Sequence, residues 1–264
     1  MNRAPEYLWM PLERATEEVT MAWDRLVEQH GSGPFQSRQW IASWHRNLAP
    51  SASIELVVAR QADHISGILA LATMTRNLHR RMPLPLPYLG LAGSGPGAGD
   101  HLGPVAESDA VGRGLLETAT QRRGAVMFES LDPRWRAAAL AATSGTVVRR
   151  TNCPRNERLP PSSFTDAMTP RARKNARRRA RKLAALGVEA RWTPPGPGFA
   201  DALRDLRSLH EARWRRDGQR GLFADERQRF LLDYARAARS EQGPWLLTLS
   251  VGHQPIASLL GIVF

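Results

Sequence analysis

The chain has 264 residues, of which 42% are hydrophobic and 23% charged, with one cysteine and a net charge of +12. That length and composition suit two domains of ordinary size, each with a real core. A lone cysteine, Cys153, excludes an intramolecular disulfide and a cysteine-based metal cage.

No apolar run reaches the ~18 to 20 residues needed to cross a bilayer. The opening MNRAPEYLWMPLERATEE lacks the apolar segment of a secretory signal, so a cytoplasmic protein is expected. The positive charge is local. Residues 171–182, RARKNARRRARK, hold eight basic side chains and no acid, and without them the balance falls to +4.

In chain order, YLWMPL (7–12) predicts a first strand. Thr16 to His30 predicts a helix, with Val19, Trp23, Leu26 and Val27 at helical spacing and Glu17 and Glu18 in the first turn, where the dipole favours acids. Ser37 is placed to cap a second helix with the stripe Trp40, Ile41, Trp44 and Leu48. IELVVARQADHISGILALAT predicts two strands around a tight turn at Ala62-Asp63-His64. A strand at 84–93 leads into the glycine-rich GSGPGAGDHLGPV, then a helix from Ser108 to Arg123. A strand at 125–131, a helix from Pro133 to Ala142 and strands at 145–153 and 156–160 complete the first half. Hairpins mixed with crossover helices require a mixed sheet covered by helices on both faces, an α/β (mixed α+β) class.

PPSS (160–163) marks a boundary, giving domains 1–160 and 161–264. The second begins with the basic helix, Pro170 to Leu186, stopped by Gly187. A strand at 187–192, a helix from Phe199 to Arg216, a further helix carrying Phe230, Leu231 and Tyr234, and two strands around Gly252-His253-Gln254 follow.

The halves repeat. Ile65-Ser-Gly-Ile-Leu69 returns 191 residues later as Ile256-Ala-Ser-Leu-Leu260, and Gly33-Pro-Phe35 returns 188 later as Gly221-Leu-Phe223. In the first half about 90 residues follow the hairpin, but only Ile262-Val263-Phe264 follow Gly261. The repeat therefore predicts that the second domain is incomplete, ending after its second and third strands, and that 264 residues are an inactive fragment of a longer chain.

Several segments carry a family resemblance: FQSRQWIASWHRNL (35–48), GLAGSGPGAGDHLGPV (90–105), PRARKNARRRARKLAALG (170–187), LHEARWRRDGQRGLF (209–223) and QPIASLLG (254–261). With them the chain resembles the GNAT superfamily of N-acetyltransferases, and within it the tandem-domain CelD-type and Fem-type acyltransferases. The resemblance implies tandem GNAT-like domains and acyl transfer from acyl-coenzyme A, probed first as acetyl-CoA, to an amine or amino sugar, in a role such as cell-surface (cellulose-type) polysaccharide synthesis. In the Fem branch the donor is an aminoacyl-tRNA. The usual coenzyme A pyrophosphate motif is missing from the first half: Gln121-Arg-Arg-Gly124 follows its helix instead of opening it.

Asp100 and His101 are candidates for an acid/base pair, because a histidine can accept the proton an attacking amine loses. Glu129, in an apolar strand, is a candidate base if burial raises its pKa. His210, Arg213 and Trp214 share a helix, His210 and Trp214 four apart on one face as a wall for an acceptor. Arg173, Lys174, Arg177, Arg178 and Arg181 are candidates for phosphate or nucleic-acid contact, a tRNA-binding protein being the alternative reading. Each has a plainer explanation as core or solvated surface. No metal is expected, since the fold accelerates acyl transfer by positioning and carbonyl polarisation.

Overall fold

A computed structural model describes residues 4–79, 82–95, 99–122, 124–142, 168–216, 223, 225–238 and 242–264. The chain divides into two compact units. The first comprises Met1–Thr146, Phe223–Pro244 and Ile262–Phe264, and the second Val147–Leu222 and Trp245–Gly261.

The first unit opens with β1 (Glu6–Pro11), α1 (Glu17–His30), α2 (Arg38–Leu48), β2 (Ser53–Gln61), β3 (His64–His79) and β4 (Met82–Leu91). Next come a two-residue β5 (Val105–Ala106), α3 (Asp109–Thr120), β6 (Ala125–Met127) and α4 (Arg136–Ala141). The sheet order is β1-β2-β3-β4-β6, with β5 pairing on β3. All pairs are antiparallel except the last, where Tyr88, Leu89 and Gly90 of β4 run parallel to Ala125, Val126 and Met127 of β6.

β2 is buried on both faces, as a continuous Leu56-Val57-Val58-Ala59 run requires when helices cover both sides. Val57, Ala59, Leu69 and Leu71 pack with Val111, Leu115, Leu116 and Ala119 of α3 and with Trp135. By alternation Leu56, Val58 and Ile68 face the other way, the side of α1, whose buried stripe is the predicted Val19, Trp23, Leu26 and Val27. The predicted Ser37 cap holds, its hydroxyl accepting from the Trp40 amide, and Thr16 and Ser108 cap their helices in the same way, accepting from the amides of Val19 and Val111.

β4 contains Pro83, Pro85 and Pro87. Alternate residues point their amides to opposite sides, so all three missing N–H groups lie on one side. β3 pairs opposite Pro85 and Pro87, and β6 begins only at Tyr88. The prolines therefore blunt the edge beyond β6 while leaving the β3 ladder intact.

The strand predicted over 125–131 is cut to Ala125–Met127, because Ser130 turns left-handed at φ 55° and Leu131 leaves to bridge Leu102. The helix predicted from Pro133 opens as a tight turn, Pro133–Trp135, before α4. The expected strands at 145–153 and 156–160 and the boundary at 160–163 lie outside the described residues.

The first unit also holds α7 (Asp225–Ala237), although α5 (Pro170–Ala185), β7 (Val188–Thr193) and α6 (Phe199–Arg216) precede it in sequence. α7 lies on α2. Trp40 meets the rings of Phe230 and Tyr234 edge-on at 4.7 and 5.1 Å, and Asp233 pairs with Arg46 at 2.8 Å and accepts from Asn47. Tyr234 is buried and hydrogen-bonds Ser37, and burial pushes its phenol up to about 12.

The second unit contains α5, β7, α6 and most of β8 (Gly243–Val251) and β9 (Gln254–Val263). Its sheet order is β7-β8-β9, the same succession as β1-β2-β3, and Phe199, Ala202, Leu203 and Leu206 form the buried side of α6.

Gly112 of α3 is pressed against Trp135, where an added Cβ would fall 2.2 Å from two ring atoms. Gly112→Ala is expected to cost about 1–3 kcal/mol in denaturant unfolding, while Gly261→Ala, with open space around it, stays within about 0.5 kcal/mol. Tyr234 makes a second test. Above pH 10 the unfolded phenol ionises while the buried one stays protonated, so the folded state loses ground as pH rises toward 12. Wild type should lose up to about 1.4 kcal/mol per pH unit across that window by chemical denaturation, and Tyr234→Phe should flatten the loss.

Candidate functional site

The carboxyl ends of β4 and β6 are the only place among the described residues where two parallel strands end side by side, the position at which open α/β sheets gather their ligands. Two loops meet there: the glycine-rich one after β4 and residues 128–132 after β6. Their backbones are stitched together. Leu102 N–H donates to Ser130 O at 2.9 Å, and Asp132 N–H donates to Leu102 O at 2.8 Å.

This stitching brings His101 to Asp132. His101 Nδ1 lies 3.2 Å from Asp132 Oδ2, with the imidazole 53% exposed and the carboxylate 10% exposed. Asp132 Oδ1 accepts from the Arg134 amide at 2.8 Å, so the carboxylate also caps the turn that starts α4. With Nδ1 turned to the carboxylate, neutral His101 carries its proton there and presents the Nε2 lone pair outward. His101 itself sits at φ 51°, in the left-handed region that non-glycine residues avoid. Such backbone persists where its surroundings enforce it, and it concentrates at functional sites.

Behind the loop lies a buried indole. Trp40 is 3% exposed, and its Nε1 has no hydrogen-bond partner. A Cβ built on Gly93 or on Gly99 would stand 3.5 Å from that nitrogen, so the donor faces the glycine α-carbons of the loop. Gly93 and Gly103 adopt φ of 91° and 135°, which side-chain-bearing residues rarely do. A cavity of about 240 Å³ elsewhere in the first unit is lined by Asp24, Glu28, Ser37 and Tyr234 and includes neither His101 nor Asp132.

The sequence-derived candidates are placed as follows. Asp100 is exposed and is not the partner of His101; Asp132, 31 residues on, takes that position. Glu129 pairs with Arg76 at 3.0 Å and its side chain is 40% exposed, so the structure gives it a charged partner, not an apolar pocket. His210 and Trp214 do share a face of α6, ring centroids 5.7 Å apart, while Arg213 is exposed. Burial first, and then Arg213, push the His210 pKa down. Arg173, Lys174, Arg177 and Arg181 line one groove on α5, and Arg178 is exposed beside it. Asp132 was missed by sequence reasoning. Its signal was local, an Asp-Pro pair opening a turn, which reads as a cap before it reads as chemistry.

The pyrophosphate of coenzyme A does not fit the glycine loop of the first unit. The described part of that loop holds no lysine or arginine, and the amino end of α3 is already occupied by the Ser108 cap and Asp109. No group of three His, Cys, Asp or Glu among the described residues is placed to hold a metal ion, and no described helix is long and apolar enough to cross a membrane.

Mixed sheet, flanking helices and a closing parallel pair define a GNAT-like α/β architecture. Residues 170–264 match the family described as acetyltransferase (GNAT) domain. Acyl transfer, with acyl-coenzyme A as the general donor, is the chemistry such domains carry. No curated protein matches the chain.

If the Trp40 indole N–H is an unsatisfied donor, removing it relieves a buried penalty of about 1–3 kcal/mol. Trp40→Phe loses part of the packing against Phe35, Phe230 and Tyr234 but also sheds the unpartnered N–H, so it is expected to lower the melting temperature clearly less than Trp40→Leu does. Equal losses in the two variants would show that the N–H carries no penalty.

Proposed function

We propose that this protein is an N-acyltransferase in which His101, oriented by Asp132, accepts the proton of an acceptor amine. The carrying observation is the His101–Asp132 pair at the carboxyl ends of β4 and β6, and the GNAT match over residues 170–264 supports acyl transfer as the reaction class.

An amine attacks the thioester carbonyl of an acyl-coenzyme A, forming the C–N bond. The C–S bond breaks, and coenzyme A leaves as the thiol after protonation. The nitrogen must lose a proton, and an outward Nε2 lone pair on an imidazole fixed by a buried carboxylate can accept it. Asp132 is a positioning residue: it holds the tautomer and stabilises the imidazolium that forms. Within the second unit by itself, His210, Arg213 and Trp214 are kept as a proposed acceptor-binding surface, where burial lowers the His210 pKa. The acetyl group is the donor proposed first, and an amine or amino sugar of a surface polysaccharide, in the cytoplasm, is the acceptor class that the CelD-type resemblance favours.

The full-length protein should bind acetyl-CoA by calorimetry and release thiol with members of an amine and amino-sugar panel. His101→Gln should lower kcat by about 10²- to 10⁴-fold with little change in melting temperature. Asp132→Asn should lower kcat more than it raises KM and shift the pH profile of kcat/KM. An unchanged rate in His101→Gln would remove His101 from the mechanism, and absence of both binding and thiol release would remove acyl transfer itself.

A further inference from the structure

The basic helix is unused by this chemistry and differs from the other helices of the chain. α5 has 16 residues and none of them is buried. Arg171, Lys174, Arg177, Arg178, Arg179, Arg181 and Lys182 make no ion pair among the described residues, and no acid lies on the helix. Arg173 alone is tied down, donating to the Met168 carbonyl. A groove of about 350 Å³ runs along one side, lined by Pro170, Arg173, Lys174, Arg177 and Arg181. Seven like charges held on a rigid rod without counter-charges repel one another, at a cost that an anionic ligand would remove.

The geometry narrows the ligand. At 1.5 Å per residue, Arg171 to Lys182 covers roughly 16 Å. A nucleic-acid strand carries a phosphate every ~3.4 Å of duplex axis, so roughly five phosphates fall within that reach. A single nucleotide cofactor concentrates its charge at one or two points and would leave most of these cations unmatched. A lipid surface is also a poor match. The face opposite the cations is Ala172, Ala176, Ala180 and Leu183, and interfacial helices need larger apolar groups to insert. The helix has no aromatic side chain on which unpaired bases could stack.

From this we infer that α5 is a docking site for the phosphodiester backbone of duplex nucleic acid, read by charge and not by base sequence. The inference stands apart from the acyl-transfer reading, because it uses none of the residues to which that reading gives a role.

Fluorescence anisotropy of the full chain with a labelled 16-base-pair RNA duplex, and with the DNA duplex of the same sequence, tests it between 50 and 200 mM salt. Binding to either is expected, with a log–log salt slope of about −4 to −5. The RNA and DNA arms show which backbone is preferred. Arg177→Ala/Arg178→Ala/Arg181→Ala should weaken binding at least tenfold at 100 mM salt and make the slope about 3 units shallower, while the same three positions as lysine keep the slope. Since all three side chains are exposed, circular dichroism should show an unchanged fold. An unchanged slope in the alanine variant would overturn the inference. So would full competition by coenzyme A at micromolar concentration, or partition onto phosphatidylserine vesicles without duplex binding.

Discussion

A carboxylate that is nine-tenths buried must find donors on both oxygens, and Asp132 does so with the Arg134 amide on one side and His101 on the other. Its own amide is bound to the Leu102 carbonyl. One residue thus starts α4, closes two loops on each other and sets the imidazole. The strained backbone at His101 and Ser130 is the counterpart of that arrangement, since the loops could relax only by giving up these bonds. The helices and sheet behind the site serve to keep this small knot in place. Trp135, packed between α3 and the loop glycine Gly103, is the wedge that transmits their rigidity.

A second constraint acts on the other face. Trp40 is enclosed by Phe35, Phe230 and Tyr234 in edge-to-face contacts, which favour the positive ring edge of one aromatic against the negative face of another. Two of those rings come from α7. The first unit is therefore discontinuous in sequence, and its aromatic cluster is complete only with residues from near the far end of the chain.

Much of the fold was legible in the sequence because the signals were local or periodic. The stripe Val19, Trp23, Leu26 and Val27 announced its buried face, and Ser37 announced its cap. The returning Ile-Ser-Gly-Ile-Leu pattern announced a second set of strands in the same order. What was not legible depends on separation. Nothing near Asp132 shows that it will meet His101 across 31 residues, so Asp100, the chemical neighbour in sequence, was the natural partner to expect. The apolar strand around Glu129 suggested burial, but the β3–β4 arm supplies Arg76 from 53 residues away. Periodicity also assigns α7 a buried face without saying what it will bury it against.

The discontinuity of the first unit has a consequence for how the protein is made. Arg46 and Asp233, partners across the α2–α7 contact, are 187 residues apart. At a synthesis rate of ~5–20 residues per second, roughly ten to forty seconds separate the emergence of α2 from that of its cover. During that interval the Trp40 side of α2 stands open on the nascent chain, available to chaperones or to a neighbouring chain on the same message. The speed of the ribosome over the middle of the transcript thus becomes a determinant of yield, and synonymous changes that slow it lengthen the exposure of one tryptophan.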